Sequence, residues 1–229
     1  MTARGKAIPA KAAAFYDVDG TLVRTNIVHA FAYYAMNQAT PWRTLKQTVK
    51  TMASVPLFWA LDQYSRKKFN DFFYLYYKGQ TEDRMHFLAE EMFDEVLKPA
   101  IFEGAYDLIK ESKRAGLRTV LVSGALDFTI RPLADHLGVD DLIANQMEFK
   151  EGVATGKLVP PEMAGPNKAA VLRDYCKKHG LDMADCYAFS DSYSDVPMLT
   201  SVGRPTAVNP DIRLKAVARS YDWPIVELS

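Results

Sequence analysis

AAAFYDVDGT, residues 12–21, is the stretch from which the rest of the chain is read. Ala12–Tyr16 is an unbroken apolar run, the composition of a short strand covered on both faces of a sheet. It ends in Asp17, Asp19, Gly20 and Thr21, which belong in a loop at the strand's carboxyl end. Open parallel sheets hold their ligands at such ends. Asp17 and Asp19 share strand parity but stand where the strand stops, so both can project toward one pocket. Two carboxylates that close are costly unless a cation or a proton joins them. Taken alone, so short a motif serves equally well as a solvated acidic turn.

Working outward, the same pattern recurs. Arg118–Val122 (RTVLV) runs into SGA, and Cys186–Phe189 (CYAF) runs into SDSYSD, so three apolar strands end in small or acidic residues. Helical periodicity over Ile101–Ala115, Phe128–Leu137 and Lys168–His179 separates them. Strands alternating with helices predict a parallel, Rossmann-like α/β sheet flanked by helices. Pro205–Asn209, Asp211–Arg219 and Ile225–Glu227 add a strand, a helix and a short closing strand. Residues 26–99 interrupt the alternation with helical periodicity and many aromatic side chains. They predict an all-helical insert within a core made of residues 1–25 and 100–229. Met147–Leu158 (MEFKEGVATGKL), with Gly152 at its turn, predicts a β-hairpin.

Composition narrows the class. A chain of 229 residues can bury a substantial core. Lys plus Arg and Asp plus Glu both number 28, and this balance speaks against a nucleic-acid partner. Cys176 and Cys186 lack metal-ligand spacing and suit a reducing compartment. Met1–Ala14 holds no apolar stretch of the secretory kind, so a cytoplasmic location is expected. The most apolar segment, Met52–Leu61, contains Pro56 and is shorter than the ~20 residues of a spanning helix, so no transmembrane segment is expected.

The remaining candidates gain weight together. Asp191 and Asp195 follow the third strand at an expected helix start, where Asp191 could instead be an N-cap and Asp195 a surface acid. Four carboxylates at one sheet edge are explained more directly by a hard divalent cation, typically magnesium. Ser123, with the backbone N–H groups of Gly124 and Ala125, can hold phosphate oxygens at the approach to a helix, or can be an ordinary turn serine. Lys168 at the start of its helix can equally be a solvated lysine.

The succession DVDGT, VSGA, a lysine and SDSYSD, with a helical insert after the first motif, resembles the haloacid dehalogenase-like superfamily. Within it the match is to the phosphoserine phosphatase-like branch, subfamily IB, whose cap is of the helical C1 type. The resemblance spans nearly the whole chain. It implies Asp17 as nucleophile, Asp19 as general acid and base, and Ser123 and Lys168 as phosphate-binding residues. It also implies a magnesium ion held by Asp17, the backbone carbonyl of Asp19 and Asp191, with Asp195 in support. The activity implied is hydrolysis of a phosphomonoester of a small metabolite, since a second aspartate in the first motif separates phosphatases from dehalogenases. Transfer of the phosphoryl group to another acceptor is chemically open.

Two departures concern the substrate. The branch carries a glutamate seven residues after its second aspartate, for the substrate ammonium group, where this chain has Asn26. A neutral amide offers no such charge, which argues against phosphoserine. The branch's carboxylate-binding cap arginine has Arg66 as its nearest counterpart, beside Phe72, Phe73, Tyr74, Tyr76 and Tyr77. Those aromatics, with Trp42, Phe58 and Trp59, are expected to be core between cap helices. The alternative is a pocket for a lipid-like phosphate, or contact with a membrane surface. His29, His86, His136 and His179 show no paired ligand spacing and receive no role.

Overall fold

The computed structural model describes residues 11–25, 27–37 and 73–229. Its center is a seven-stranded sheet: β1 (Ala13–Tyr16), β2 (Arg118–Leu126), β3 (Asp141–Lys150), β4 (Val153–Val159), β5 (Tyr187–Ser190), β6 (Arg204–Val208) and β7 (Ile225–Val226). The order is β4-β3-β2-β1-β5-β6-β7, with all pairs parallel except β3 with β4. From β1 the chain builds outward through β2 and β3, then crosses back to lay β5, β6 and β7 on the other side. β1 is therefore the switch point, where open α/β sheets leave a crevice for ligands.

Among the described residues the helices are α1 (Ile27–Met36), α2 (Glu82–Met92), α3 (Glu103–Arg114), α4 (Asp127–Leu137), α5 (Pro166–His179), α6 (Val196–Leu199) and α7 (Ile212–Ser220). The side chains of β1 explain how they are distributed. Ala14 and Tyr16 face one apolar cluster, which includes Ile109 of α3, Leu133 of α4 and Met85 and Met92 of α2. Ala13 and Phe15 face a second cluster, with Leu172 and Cys176 of α5 and Leu214 and Ala218 of α7. Alternation with period two thus feeds both faces of the sheet, and every residue of β1 is buried.

The expected strands and helices are present, with ends shifted by one to six residues. The largest shift is in β3, which begins at Asp141 and not at Met147 and pairs in parallel with β2. Next is β2, expected to stop at Val122. It runs to Leu126, and its pairing with β3 breaks register between Ser123 and Leu126. Ser123 and Gly124 therefore lie within an irregular strand end and not in a loop. The hairpin is β3–β4, turning at Glu151 and Gly152, both with positive φ. That pair of left-handed residues is what a tight hairpin turn matching the strand twist requires.

Within the expected insert, the described parts are helical. Phe73, Tyr74 and Tyr77 are buried, with Phe73 and Tyr74 packed edge to face at 5.2 Å between centroids. The core reading of these aromatics holds. A 3-10 turn, Leu75–Tyr77, precedes α2, and a π-turn, Phe93–Leu97, follows it before the chain rejoins the sheet. The Tyr34 hydroxyl donates to the Met85 carbonyl at 3.1 Å, tying α1 to α2. Asn26, Arg66, Trp42, Phe58, Trp59 and Phe72 lie outside the described residues. Among the described residues no helix is long and apolar enough to cross a membrane.

Candidate active site

Register brings three of the four motifs together. Tyr16 pairs with Leu121 of β2 and with Phe189 of β5. Asp17, Ser123 and the residues from Ser190 onward consequently occupy the carboxyl ends of three adjacent strands. The Asp17 N–H donates to the Phe189 carbonyl at 2.9 Å, extending the pairing by one residue and fixing the backbone of the first aspartate.

Lys168 comes to this edge from the first turn of α5. Its Nζ lies 2.6 Å from Asp17 Oδ1 and 2.7 Å from Asp195 Oδ2, and the residue is only 5% exposed. It is not a solvated lysine. Burial alone would pull its ammonium down, but the Asp17 and Asp195 carboxylates overcome that and hold it above its ordinary value. Asp195 is buried rather than on the surface, and its Oδ2 also accepts the Ser190 hydroxyl at 2.8 Å. Asp191 does not cap a helix; Ser192 caps the 3-10 turn Tyr193–Asp195 that leads into α6.

The first motif folds back on itself so that Thr21 reaches two acids. Thr21 Oγ1 lies 3.2 Å from Asp17 Oδ2 and 3.1 Å from Asp191 Oδ1, and it accepts the Asp191 N–H at 3.0 Å. A hydroxyl has one proton, so it donates to only one of the two carboxylates at a time. Gly20, at φ +79°, makes this turn, and a Cβ there would run into Asp191 Oδ2. Asp19 is half-buried, with Oδ1 accepting from Thr25 Oγ1 at 3.4 Å.

The electrostatics are unbalanced. Fully ionized, Asp17 and Asp195 share the ammonium of Lys168, and the charge of Asp17 also bears on Asp191. Burial, and then the charge of Asp17, push Asp191 up to about 8. Burial raises Asp17 also, against the pull of Lys168. This surplus negative charge, together with the shared Thr21 proton, is what a hard divalent cation between Asp17 and Asp191 would relieve. Among the described residues no cluster of three or more His, Cys, Asp or Glu side chains has metal-ligand geometry. The expected magnesium set draws on only two side chains, the third ligand being the Asp19 carbonyl, so the residues present fit the ion.

At the end of β2, Ser123 is buried and its Oγ accepts the Ala125 N–H at 3.0 Å. Gly124 follows it, with its carbonyl held by the Tyr74 hydroxyl and the Asn145 amide. Sequence reading singled out neither Thr21 nor Ser190. Thr21 carried a signal in its place within DVDGT, whereas Ser190 looks like any strand-end serine.

The model of the haloacid dehalogenase-like hydrolases matches residues 14–200. A protein of Mycobacterium tuberculosis named phosphoserine phosphatase SerB1 is 31% identical over 93% of this chain and 70% of its own length. A solved structure of a Bordetella pertussis protein of unknown function superposes with a TM-score of 0.84 at 23% identity, covering 95% of this chain and 98% of that one. A phosphoserine phosphatase solved as an analogue of its phospho-aspartyl intermediate gives 0.69 at 20% identity, over 95% and 93%. The matched span takes in all four motifs, and by it the chain belongs to the haloacid dehalogenase-like hydrolase family.

Proposed function

We propose that this chain is a magnesium-dependent phosphomonoester hydrolase that carries the phosphoryl group on Asp17 and moves protons through Asp19. The observation that carries the reading is Lys168 clamped between Asp17 and Asp195 while Thr21 is shared between Asp17 and Asp191. A structural ion pair needs one acid; here two acids hold one base and Thr21 links the first of them to a third, in the crevice at the switch point. The phosphatase name of a relative at 31% identity supports the same chemistry.

Magnesium would be held by Asp17, the Asp19 carbonyl and Asp191, and would neutralize charge between the carboxylate and an incoming phosphate dianion. Lys168 supplies further positive charge and orients Asp17. Ser123 Oγ and the N–H groups that follow it take phosphate oxygens. An Asp17 oxygen bonds to phosphorus as the ester P–O bond breaks, and protonated Asp19 gives its proton to the leaving oxygen. Asp19, now a carboxylate, takes a proton from water as that water attacks the aspartyl phosphate. Phosphate leaves, and both aspartates return to their starting states.

The substrate proposed is a small phosphorylated metabolite other than phosphoserine, on the argument from Asn26. Residues 26–99 are proposed as the lid that selects it and excludes water during transfer. A lipid-like substrate gains no support from Phe73, Tyr74 and Tyr77, which are buried in the protein's own core. The cytoplasm is the proposed location, since the buried thiols of Cys176 and Cys186 stand unlinked with sulfurs 3.8 Å apart.

The test is phosphate release from a panel of phosphoserine, sugar phosphates, nucleotides and lysophospholipids, with magnesium, with EDTA, and with Asp17→Asn. Magnesium-dependent release that the variant abolishes supports the reading. Release that survives in folded Asp17→Asn contradicts it.

A further inference from the structure

Three separate parts of the chain meet at the Gly124 carbonyl. The Tyr74 hydroxyl, from the expected insert, donates to it at 2.7 Å, and the Asn145 amide, from β3, donates to it at 2.6 Å. The other end of Asn145 is also engaged: Oδ1 accepts the Met163 N–H at 2.7 Å, in the segment that leads into α5 and Lys168. Tyr74 and Asn145 are 1% and 0% exposed. A carbonyl has two lone pairs, and these two buried donors fill them.

Peptide planarity gives this arrangement a consequence. The Gly124 C=O and the Ala125 N–H belong to one trans-planar unit and point in opposite directions. Holding the oxygen toward Tyr74 and Asn145 holds the N–H away from them, and there it donates to Ser123 Oγ. The register of β2 on β3 breaks over this unit, so side chains take over the orienting role that ladder bonds have elsewhere.

We infer that Tyr74 is a positioning residue for phosphate: with Asn145 it orients the Gly124–Ala125 peptide so that its N–H faces the anion site beside Ser123. The inference rests on the reading of Ser123 and its neighboring amides as the phosphate cradle. Tyr74 packs against Phe73 and Tyr77, at 5.2 Å and 6.1 Å between ring centroids, so the cradle's geometry is tied to the packing of the insert.

Tyr74→Phe removes the hydroxyl and keeps the ring. With p-nitrophenyl phosphate as probe and magnesium present, KM and the inhibition constant of inorganic phosphate are expected to rise on the order of five-fold, the effect of one lost hydrogen bond, with a smaller change in kcat. Amide hydrogen exchange over residues 121–127 is expected to quicken while exchange in β5 and α7 stays as in the wild type. Asn145→Ala removes the second donor, together with the acceptor for Met163, and the same changes are expected; it serves if Tyr74→Phe does not fold. Unchanged KM, phosphate inhibition and exchange in a folded variant would overturn the inference. Quickened exchange at 121–127 in a chain whose wild type releases phosphate from no substrate would uphold the tether and overturn the phosphatase reading instead.

Discussion

The two ends of the same sheet carry ionic clusters that look alike on paper and differ in kind. At the amino ends of β2 and β3, Arg118 Nε lies 2.6 Å from Asp141 Oδ2, and the Tyr175 hydroxyl of α5 donates to the same carboxylate. One cation meets one anion, about a third of each side chain is exposed, and the guanidinium holds Asp141 below the usual carboxylate range against the opposing effect of burial. At the carboxyl ends, one ammonium meets two carboxylates, and a third, Asp191, is driven up by burial and by Asp17. A satisfied pair at a half-exposed edge is architecture and contributes little stability. A buried cluster with surplus charge costs stability, and such a cost is what sites built to bind a charged ligand carry.

The comparison can be broken most severely at Asp17. Asp17→Asn is expected to lower phosphate release on the order of 10,000-fold or more, because no other group takes the nucleophile's place. Circular dichroism should show the fold retained, since the variant removes a charge from an overcharged site. Lys168→Met should reduce turnover about 100- to 1,000-fold through lost charge stabilization. Urea denaturation should also show a loss of about 3–5 kcal/mol, because buried carboxylates are left without their cation. Retained turnover in that variant would remove Lys168 from the phosphate site.

Thr21→Val sharpens the contrast without removing a charge. Loss of the shared proton is expected to weaken magnesium binding, measured by calorimetry, by about 10- to 100-fold. Unchanged affinity would mean that Thr21 only shapes the turn. The smallest effect belongs to the other end of the sheet. Asp141→Asn should cost at most about 1 kcal/mol and leave turnover unchanged. Asp141 is depressed in the folded state, so its contribution is present above the unfolded value of about 3.9 and fades as pH falls through the lower folded value. The gap between wild type and variant should therefore be flat near neutrality and close in acid.

What the sequence disclosed follows from how far apart the interacting groups stand. Asp17, Ser123 and Asp191 were legible because an apolar run ending in small or acidic residues marks a strand end locally, and parallel strands bring their ends together. The parallel character of the sheet followed from the alternation of strands with helices, whereas the strand order around β1 came only with the structure. The burial of Lys168 was not legible: only the path of α5 across the sheet turns an ordinary lysine into a clamp between Asp17 and Asp195. Thr21 was overlooked because its chemistry depends on Asp191, 170 positions away. The joining of Tyr74, Gly124, Asn145 and Met163 leaves no local pattern at all, being three hydrogen bonds between residues far apart in sequence. The expected end of β2 at Val122 failed for a related reason, since the irregular pairing with β3 carries the strand on to Leu126.

Whether Asp17 carries the phosphoryl group is read most directly by quenching the enzyme during turnover of a radiolabeled phosphomonoester with magnesium and mapping the label by peptide analysis. The account predicts hydroxylamine-sensitive label on the peptide containing Asp17 and none in Asp17→Asn. Label on another residue, such as Ser123, would contradict it.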